Sequence, residues 1–321
     1  MRRNRTIARV GHAAVNLFLA IGPNGPLRIP HTQNTGRCKR TKVHSSHLVL
    51  PGLRLDGPQQ SYQKAALVQP KLVEDDALRL KPRMTKITAL VTGSSRGIGA
   101  ATAAALRARG VTVIGHASRA HDADTIAADL AEPTAAARLW EQSLERSGGR
   151  IDILVNNAGK FSPNPLDASD FAWLDQWEDT LRINLTAAAE LSRFAVRHWL
   201  ADARGGRVVH IASRAAHRGD SSDHWHYAAA KGGMVAMHKT IARHYAAHGV
   251  LSYAVCPGFT DTAMAGDYLS SRGGAGLLAD IPLGRVATPE EIATMAVFCA
   301  LDAPPSMTGA VLDANGASYV R

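Results

Sequence analysis

From residue 84 onward the sequence alternates between two kinds of segment, and this most limits what the chain can fold into. Apolar runs of strand length lie at 87–91, 111–114, 151–155, 208–211, 250–255 and 309–312, with a weaker one at 125–128. Helical stretches are expected between them, at 98–109, 134–147, 173–200, 227–247 and 289–301. Strands that alternate with helices build right-handed crossovers, so the expectation is a parallel sheet covered on both faces. Thr288-Pro289-Glu290-Glu291 reads as a helix start, with an N-cap, an N1 proline and acids in the first turn. Only about eleven residues separate the second strand from the third, too few for a crossover helix with its turns. A loop or single turn is therefore expected at 119–124.

Charge divides the chain differently. The protein has 321 residues, with 37 Lys+Arg against 27 Asp+Glu. Fifteen of those bases and four of those acids lie in residues 1–83, so the remainder is close to neutral. Residues 1–83 show no sustained period and repeated Gly-Pro and Pro-Gly pairs. They are expected to be a disordered extension, or upstream sequence ahead of a start at Met84, rather than part of the 84–321 domain. A nucleic-acid or membrane-surface role would rest on that segment alone, and neither partner is expected. Cys38, Cys256 and Cys299 are far apart, which argues against disulfides or a zinc site and for a reducing, cytoplasmic location. No apolar run approaches the ~18 residues of a membrane span.

Three short motifs carry chemistry. Thr92-Gly93-Ser94-Ser95-Arg96-Gly97-Ile98-Gly99 joins the first strand to an Ala-rich helix. Glycines there allow a sharp turn and close approach to a pyrophosphate, whose charge a helix N-terminus favours. Asn156-Asn157-Ala158-Gly159 follows the fourth strand. Tyr227-Ala228-Ala229-Ala230-Lys231 places a phenol and an ammonium on one helix face. Each alone has an ordinary reading: a strand–helix corner, a turn, a surface pair.

Together and in this order, they make the chain from Met84 to Arg321 resemble the short-chain dehydrogenase/reductase family, in the branch with Thr-Gly-x-x-x-Gly-x-Gly and Tyr-x-x-x-Lys. Ile183-Asn184-Leu185, Ile211-Ala212-Ser213, Cys256-Pro257-Gly258-Phe259-Thr260-Asp261-Thr262 and Asp313-Ala314-Asn315-Gly316 extend the match. The sequence is similar to 3-oxoacyl-(acyl-carrier-protein) reductases. The resemblance implies a single doubly wound, Rossmann-type α/β domain and an enzyme that interconverts a ketone and a secondary alcohol by hydride transfer. A non-catalytic nucleotide sensor or scaffold on the same fold is the alternative.

The resemblance further implies a tetrad of Asn184, Ser213, Tyr227 and Lys231. Tyr227 would be the general acid or base, Lys231 would lower its pKa, Ser213 would bond the substrate oxygen and Asn184 would hold a water. Ser213 lies 14 residues before Tyr227, one more than is usual in the family, which implies a lengthened loop. Gly93, Ser95, Arg96, Gly97, Ile98 and Gly99 would cradle the cofactor, with Asn156, Ala158, Gly159, Tyr227, Lys231, Pro257 and Gly258 alongside. Asp129 and Leu130 would meet the adenine, and Thr260 and Thr262 the nicotinamide carboxamide. No acid ends the second strand, which reads Gly115-His116-Ala117-Ser118-Arg119. Arg96, Ser118 and Arg119 suit a 2′-phosphate, so NADP(H) is expected over NAD(H).

His210, His217, His224 and His226 are expected to line the entrance or face solvent, and no metal is expected. Pocket walls are expected from Lys160, Phe161, Pro163, His217, Arg218, Trp225, Met264 and Tyr268. Leu191, Phe194 and Val196, with Met234, Val235 and Ile241, exceed one core-facing stripe on their helices. This excess, together with the family's habit of pairing these helices across a two-fold axis, implies a homodimer or homotetramer.

Overall fold

The computed structural model describes residues 86–119, 122–262 and 274–321. The expectations for residues 1–83 and for Met264 and Tyr268 fall outside them. Seven strands form one parallel sheet: β1 (Thr88–Val91), β2 (Thr112–Ala117), β3 (Thr125–Ala127), β4 (Ile153–Asn156), β5 (Gly206–Ile211), β6 (Val250–Pro257) and β7 (Val311–Ala314). Their order is β3-β2-β1-β4-β5-β6-β7. The direction of winding reverses between β1 and β4, and ligands of open α/β sheets bind at such a point, beyond the strands' carboxyl ends.

The helices are α1 (Gly97–Ala108), α2 (Ala135–Arg146), α3 (Asp170–Leu181), α4 (Ala187–Asp202), α5 (Ala215–Arg218), α6 (Trp225–Tyr245), α7 (Gly274–Ala279) and α8 (Pro289–Val297). The period-2 alternation of β1 sends its residues to opposite faces. Ala89 and Val91 join Leu106, Val255 and Ile292 in one core, while Leu90 joins Leu139, Leu154, Leu191 and Trp199 in the other. All four residues of β1 are buried, as a strand covered on both faces requires. No helix forms among the described residues between β2 and β3. Thr288 caps α8 in a reciprocal capping box with Glu291, with Pro289 in the first turn. Among the described residues no helix is long and apolar enough to cross a membrane.

The segment expected as one helix over 173–200 is α3 and α4 joined by a π turn, Arg182–Thr186. Its apolar excess is partly internal. Leu191, Val196, Met234, Val235 and Ile241 are buried in the domain's own cores. The apolar side chains left exposed lie elsewhere, at Phe171 and Leu174 on α3 and Trp225 on α6.

Candidate active site

The glycine loop is tied down before any ligand arrives. Gly93 has φ +64°, a conformation that glycine adopts without strain. A Cβ on Gly99 would stand 2.1 Å from the Gly93 carbonyl oxygen, so only glycine fits. Thr92 Oγ1 accepts from the Asn157 and Ala158 amides at 2.9 and 3.0 Å. The Asn157 side chain donates back to the Thr92 and Gly93 carbonyls at 2.8 and 3.1 Å. Thr92 and Asn157 thus clamp the β1 and β4 loops together, a role that the motif reading did not assign. Asn156 turns the other way. Its amide is buried and donates to Ser192 Oγ at 2.9 Å, so its side chain serves the core rather than a cofactor. The strand's alternation explains this, since neighbours point to opposite faces.

A second fastening was also missed. His116, at the end of β2, is buried. Its Nδ1 accepts from the Gly93 amide at 3.1 Å, and its Nε2 donates to the Ala128 carbonyl at 2.8 Å. The two bonds define a neutral ring, and burial lowers its pKa. Ser94 bonds the same residue's backbone in both directions, at 2.8 and 3.0 Å. His116 therefore links the glycine loop to the segment just before Asp129 and Leu130. Asp129 is exposed and accepts from the Ala131 amide at 3.0 Å, while Leu130 is buried in the core.

The remaining cofactor candidates surround this cradle. Ser95 is half-buried, and Ile98 packs against the core under α1. Arg96, Ser118 and Arg119 are exposed. Gly97 faces Thr262, whose Cγ2 would lie 3.0 Å from an added Cβ. Thr260 is buried, with its hydroxyl donating to the Gly258 carbonyl at 3.3 Å. Pro257 and Gly258 close β6, and the Gly258 amide donates to Ala314 at 2.9 Å.

The tetrad converges at the ends of β4 and β5. Ser213 follows β5, and its side chain is hydrogen-bonded to Tyr227 near the start of α6. Ser221 and Ser222 are committed to His224 and Asp223 instead. Lys231, one helical turn beyond Tyr227, is buried. Its Nζ donates to the Ile211 carbonyl at 2.8 Å and lies 5.7 Å from the Tyr227 ring centroid. Asn184 sits in the π turn, where its Oδ1 accepts from the Lys160 amide at 2.7 Å and its Nδ2 donates to the Lys160 carbonyl at 2.8 Å. It is thus a clamp on the peptide after Gly159 before it is a ligand for water. A Cβ on Gly159 would lie 3.3 Å from Asn184 Oδ1 and 3.7 Å from Lys231 Nζ, so the cradle and the tetrad meet there.

Burial sets the electrostatics. Desolvation pushes the Tyr227 phenol up to about 12, against the opposing hydrogen bond from Ser213. The sequence reading expected Lys231 to lower it, but desolvation dominates here. Burial also pulls Lys231 down to about 8. Phe161 stacks on His224 with centroids 3.9 Å apart and meets Tyr227 edge-on at 4.8 Å, forming one wall. His226 is buried with Nε2 on the Ser162 carbonyl at 3.1 Å. His210 is fully buried beside Asn156 and neither lines an entrance nor faces solvent, because it lies within β5.

The sequence matches the family model for enoyl-(acyl carrier protein) reductase over residues 93–316. It is 36% identical over 243 residues to the 3-oxoacyl-[acyl-carrier-protein] reductase FabG of Escherichia coli, covering 72% of this chain and 97% of that one. With FabG of Vibrio harveyi it shares 37% over 242 residues, with the same coverage. Among solved structures, it is similar to a protein assigned as an NAD(P)-dependent gluconate 5-dehydrogenase from Beutenbergia cavernae, solved with NADP at low occupancy. That likeness has a TM-score of 0.65 and 34% identity, over 72% of this chain and 95% of that one. The aldohexose dehydrogenase of Thermoplasma acidophilum gives a TM-score of 0.65 at 25% identity, over 72% and 93%. Sequence, topology and site agree, and the chain belongs to the short-chain dehydrogenase/reductase family of NAD(P)-dependent oxidoreductases.

Proposed function

We propose that the protein interconverts a ketone and a secondary alcohol with NADP(H), using Tyr227 as general acid in reduction and general base in oxidation. The observation that carries this reading is the meeting of Tyr227, Ser213 and Lys231 with Asn184 and Gly159 at the edge of the glycine cradle. A non-catalytic nucleotide sensor has no need of that set.

The cradle fits a dinucleotide. Gly99 leaves no room for a side chain, and α1 presents its N-terminus where a pyrophosphate is favoured. Gly93, Ser95, Gly97, Ile98, Ala158 and Gly159 would hold the cofactor, with Pro257, Gly258, Thr260 and Thr262 on the far side. A bound nicotinamide supplies or accepts the hydride. Arg96, Ser118 and Arg119 are exposed after a β2 that ends without an acid, which supports the 2′-phosphate preference. The Beutenbergia cavernae relative was solved with NADP.

In the reductive direction Tyr227 gives its phenolic proton to the substrate oxygen, which Ser213 also hydrogen-bonds. Lys231 supports the phenolate left behind, and Asn184 keeps the peptide after Gly159 in place. The names of the relatives all describe oxidoreduction at a carbonyl or carbinol carbon, and the Phe161–His224 wall suits a substrate with an apolar face. The test is a panel of 3-oxoacyl thioesters, sugar acids and simple ketones with NADPH and NADH, followed by nicotinamide absorbance. NADPH-dependent turnover of a ketone is expected. Turnover with NADH alone would defeat the cofactor preference, and none on any member would defeat the reaction.

Self-association belongs to the same proposal. Phe171 is 83% exposed on α3, and Leu174 and Trp225 lie open beside the Trp173–Trp177 stack. An apolar face of this kind on the paired helices supports a dimer or tetramer. Light scattering that gave an active monomer would overturn it. A cytoplasmic location is also proposed, in keeping with the free, buried thiols of Cys256 and Cys299.

A further inference from the structure

Behind the tetrad, three side chains that the proposed reaction does not use converge. Cys256 and Asp313 stand opposite each other in the β6–β7 register. His217 lies on α5, four residues after Ser213. Cys256 Sγ is 3.6 Å from His217 Nε2, and one ligand atom from each of the three lies within 4.8 Å of the others. These side chains come from three segments far apart in sequence, so no helical or strand period brings them together.

We propose that His217, Cys256 and Asp313 form a binding site for a zinc-class divalent cation. Zinc takes sulfur at about 2.3 Å and imidazole nitrogen at about 2.0 Å, and a tetrahedral angle then sets the two about 3.5 Å apart. The observed sulfur–nitrogen separation is close to that. One thiolate, one imidazole and one carboxylate favour zinc or cobalt over magnesium or calcium, which prefer oxygen. Three protein ligands leave a fourth position for water.

The surroundings suit the ligands. Arg321 Nε donates to Asp313 Oδ2 at 2.9 Å and its Nη2 to the Val311 carbonyl at 2.7 Å, which orients the carboxylate and leaves its other oxygen for a metal. The His217 ring lies parallel to Tyr319 with centroids 6.1 Å apart. Cys256 is fully buried, whereas Asp313 borders an open groove of about 680 Å³ that Tyr319 and Arg321 also line. An ion therefore enters from the Asp313 side. On binding, the Cys256 thiol releases its proton to solvent and a metal–sulfur bond replaces the S–H bond, with no change of oxidation state. Occupation ties the loop after Ser213 to β6 and β7.

The test is cobalt titration of the full-length protein under reducing, chelator-free conditions. The expected result is one equivalent bound, with intense tetrahedral visible bands and a thiolate-to-cobalt charge-transfer band, both displaced by zinc. Cys256→Ser is expected to abolish the charge-transfer band, and Asp313→Asn to weaken binding by at least about tenfold. Cys38→Ser and Cys299→Ser are expected to leave the spectrum unchanged. Asp313 is exposed, so its variant keeps the test valid even if Cys256→Ser fails to fold. The proposal is overturned by an octahedral spectrum without a thiolate band, by a band that persists in Cys256→Ser or is lost in Cys38→Ser, or by unchanged affinity in Asp313→Asn. These readouts need no turnover, so they stand apart from the reaction proposed above.

Discussion

The two halves of the sheet work by different means. On the β1–β4 side, backbone shape does the work: Gly93 and Gly99 fold the loop, and Thr92, Asn157 and His116 hold it with neutral hydrogen bonds. On the β5–β6 side, side-chain chemistry does it: burial moves Tyr227 up and Lys231 down, with Ser213 between β5 and the phenol. The first half governs whether a dinucleotide is held, and the second whether a proton moves. Substitutions should therefore separate into those that change affinity and those that change turnover.

The largest expected separation is at Tyr227. Tyr227→Phe removes the transferable proton and keeps the ring, so kcat should fall by about two to four orders of magnitude. Cofactor titration by fluorescence should find binding nearly unchanged; a parallel loss of affinity would mean that the two halves are not separable. Next is Gly99→Ala. Its methyl would press on the Gly93 carbonyl and on Asn157 Nδ2, and overpacking of ~1–3 kcal/mol corresponds to as much as about a hundredfold in NADPH affinity. Calorimetry on the purified variant measures it, and unchanged binding would show that the cradle is softer than its contacts suggest.

The pH profile comes third. Lys231 is pulled down to about 8, so its ammonium is present below that pH and lost above it. Reduction needs the ammonium and a protonated Tyr227, and the phenol stays protonated to about 12. The reductive kcat/KM should thus be level near neutrality and fall about tenfold per pH unit above about 8. A profile that stays flat to pH 10 would remove Lys231 from the step. The smallest effect is expected at His116. His116→Ala deletes the bonds to Gly93 and Ala128, each worth about 0.5–1.5 kcal/mol. NADPH affinity should drop by roughly tenfold, with kcat at saturating cofactor unchanged.

The cradle was more legible in the sequence than the chemistry around it. Gly93, Gly97, Gly99, Tyr227 and Lys231 act through local spacing, which a sequence displays directly. His116 carried no such signal, because its partners lie 23 and 12 residues away and meet it only through the β1–β2–β3 pairing. Asn156 was placed with the cofactor although it faces the core, since its motif does not say which face of β4 each asparagine takes. The upward shift of Tyr227 depends on burial contributed by the whole domain, not on the residue four positions away. The expected last strand lay two residues early, because Gly309 takes φ +89° and the strand begins only at Val311. Cys256, His217 and Asp313 looked unrelated because only the closed sheet brings them together.

The π turn at Arg182–Thr186 makes this part of the chain sensitive to counting. There the Ala187 amide reaches back five residues to the Arg182 carbonyl, so the turn holds one residue more than a regular helix would. An α-helix advances about 100° per residue. Deleting one residue here would restore a regular helix and swing all of α4 by roughly that angle relative to α3. Leu191 and Trp199 would leave the core, and Asn184 would leave the Lys160 peptide. Many substitutions in this stretch keep the register; a single-codon deletion does not, however mild the lost residue. A scan of in-frame deletions across 170–202 should therefore show intolerance on both sides of the turn, even where point changes at the same positions are accepted.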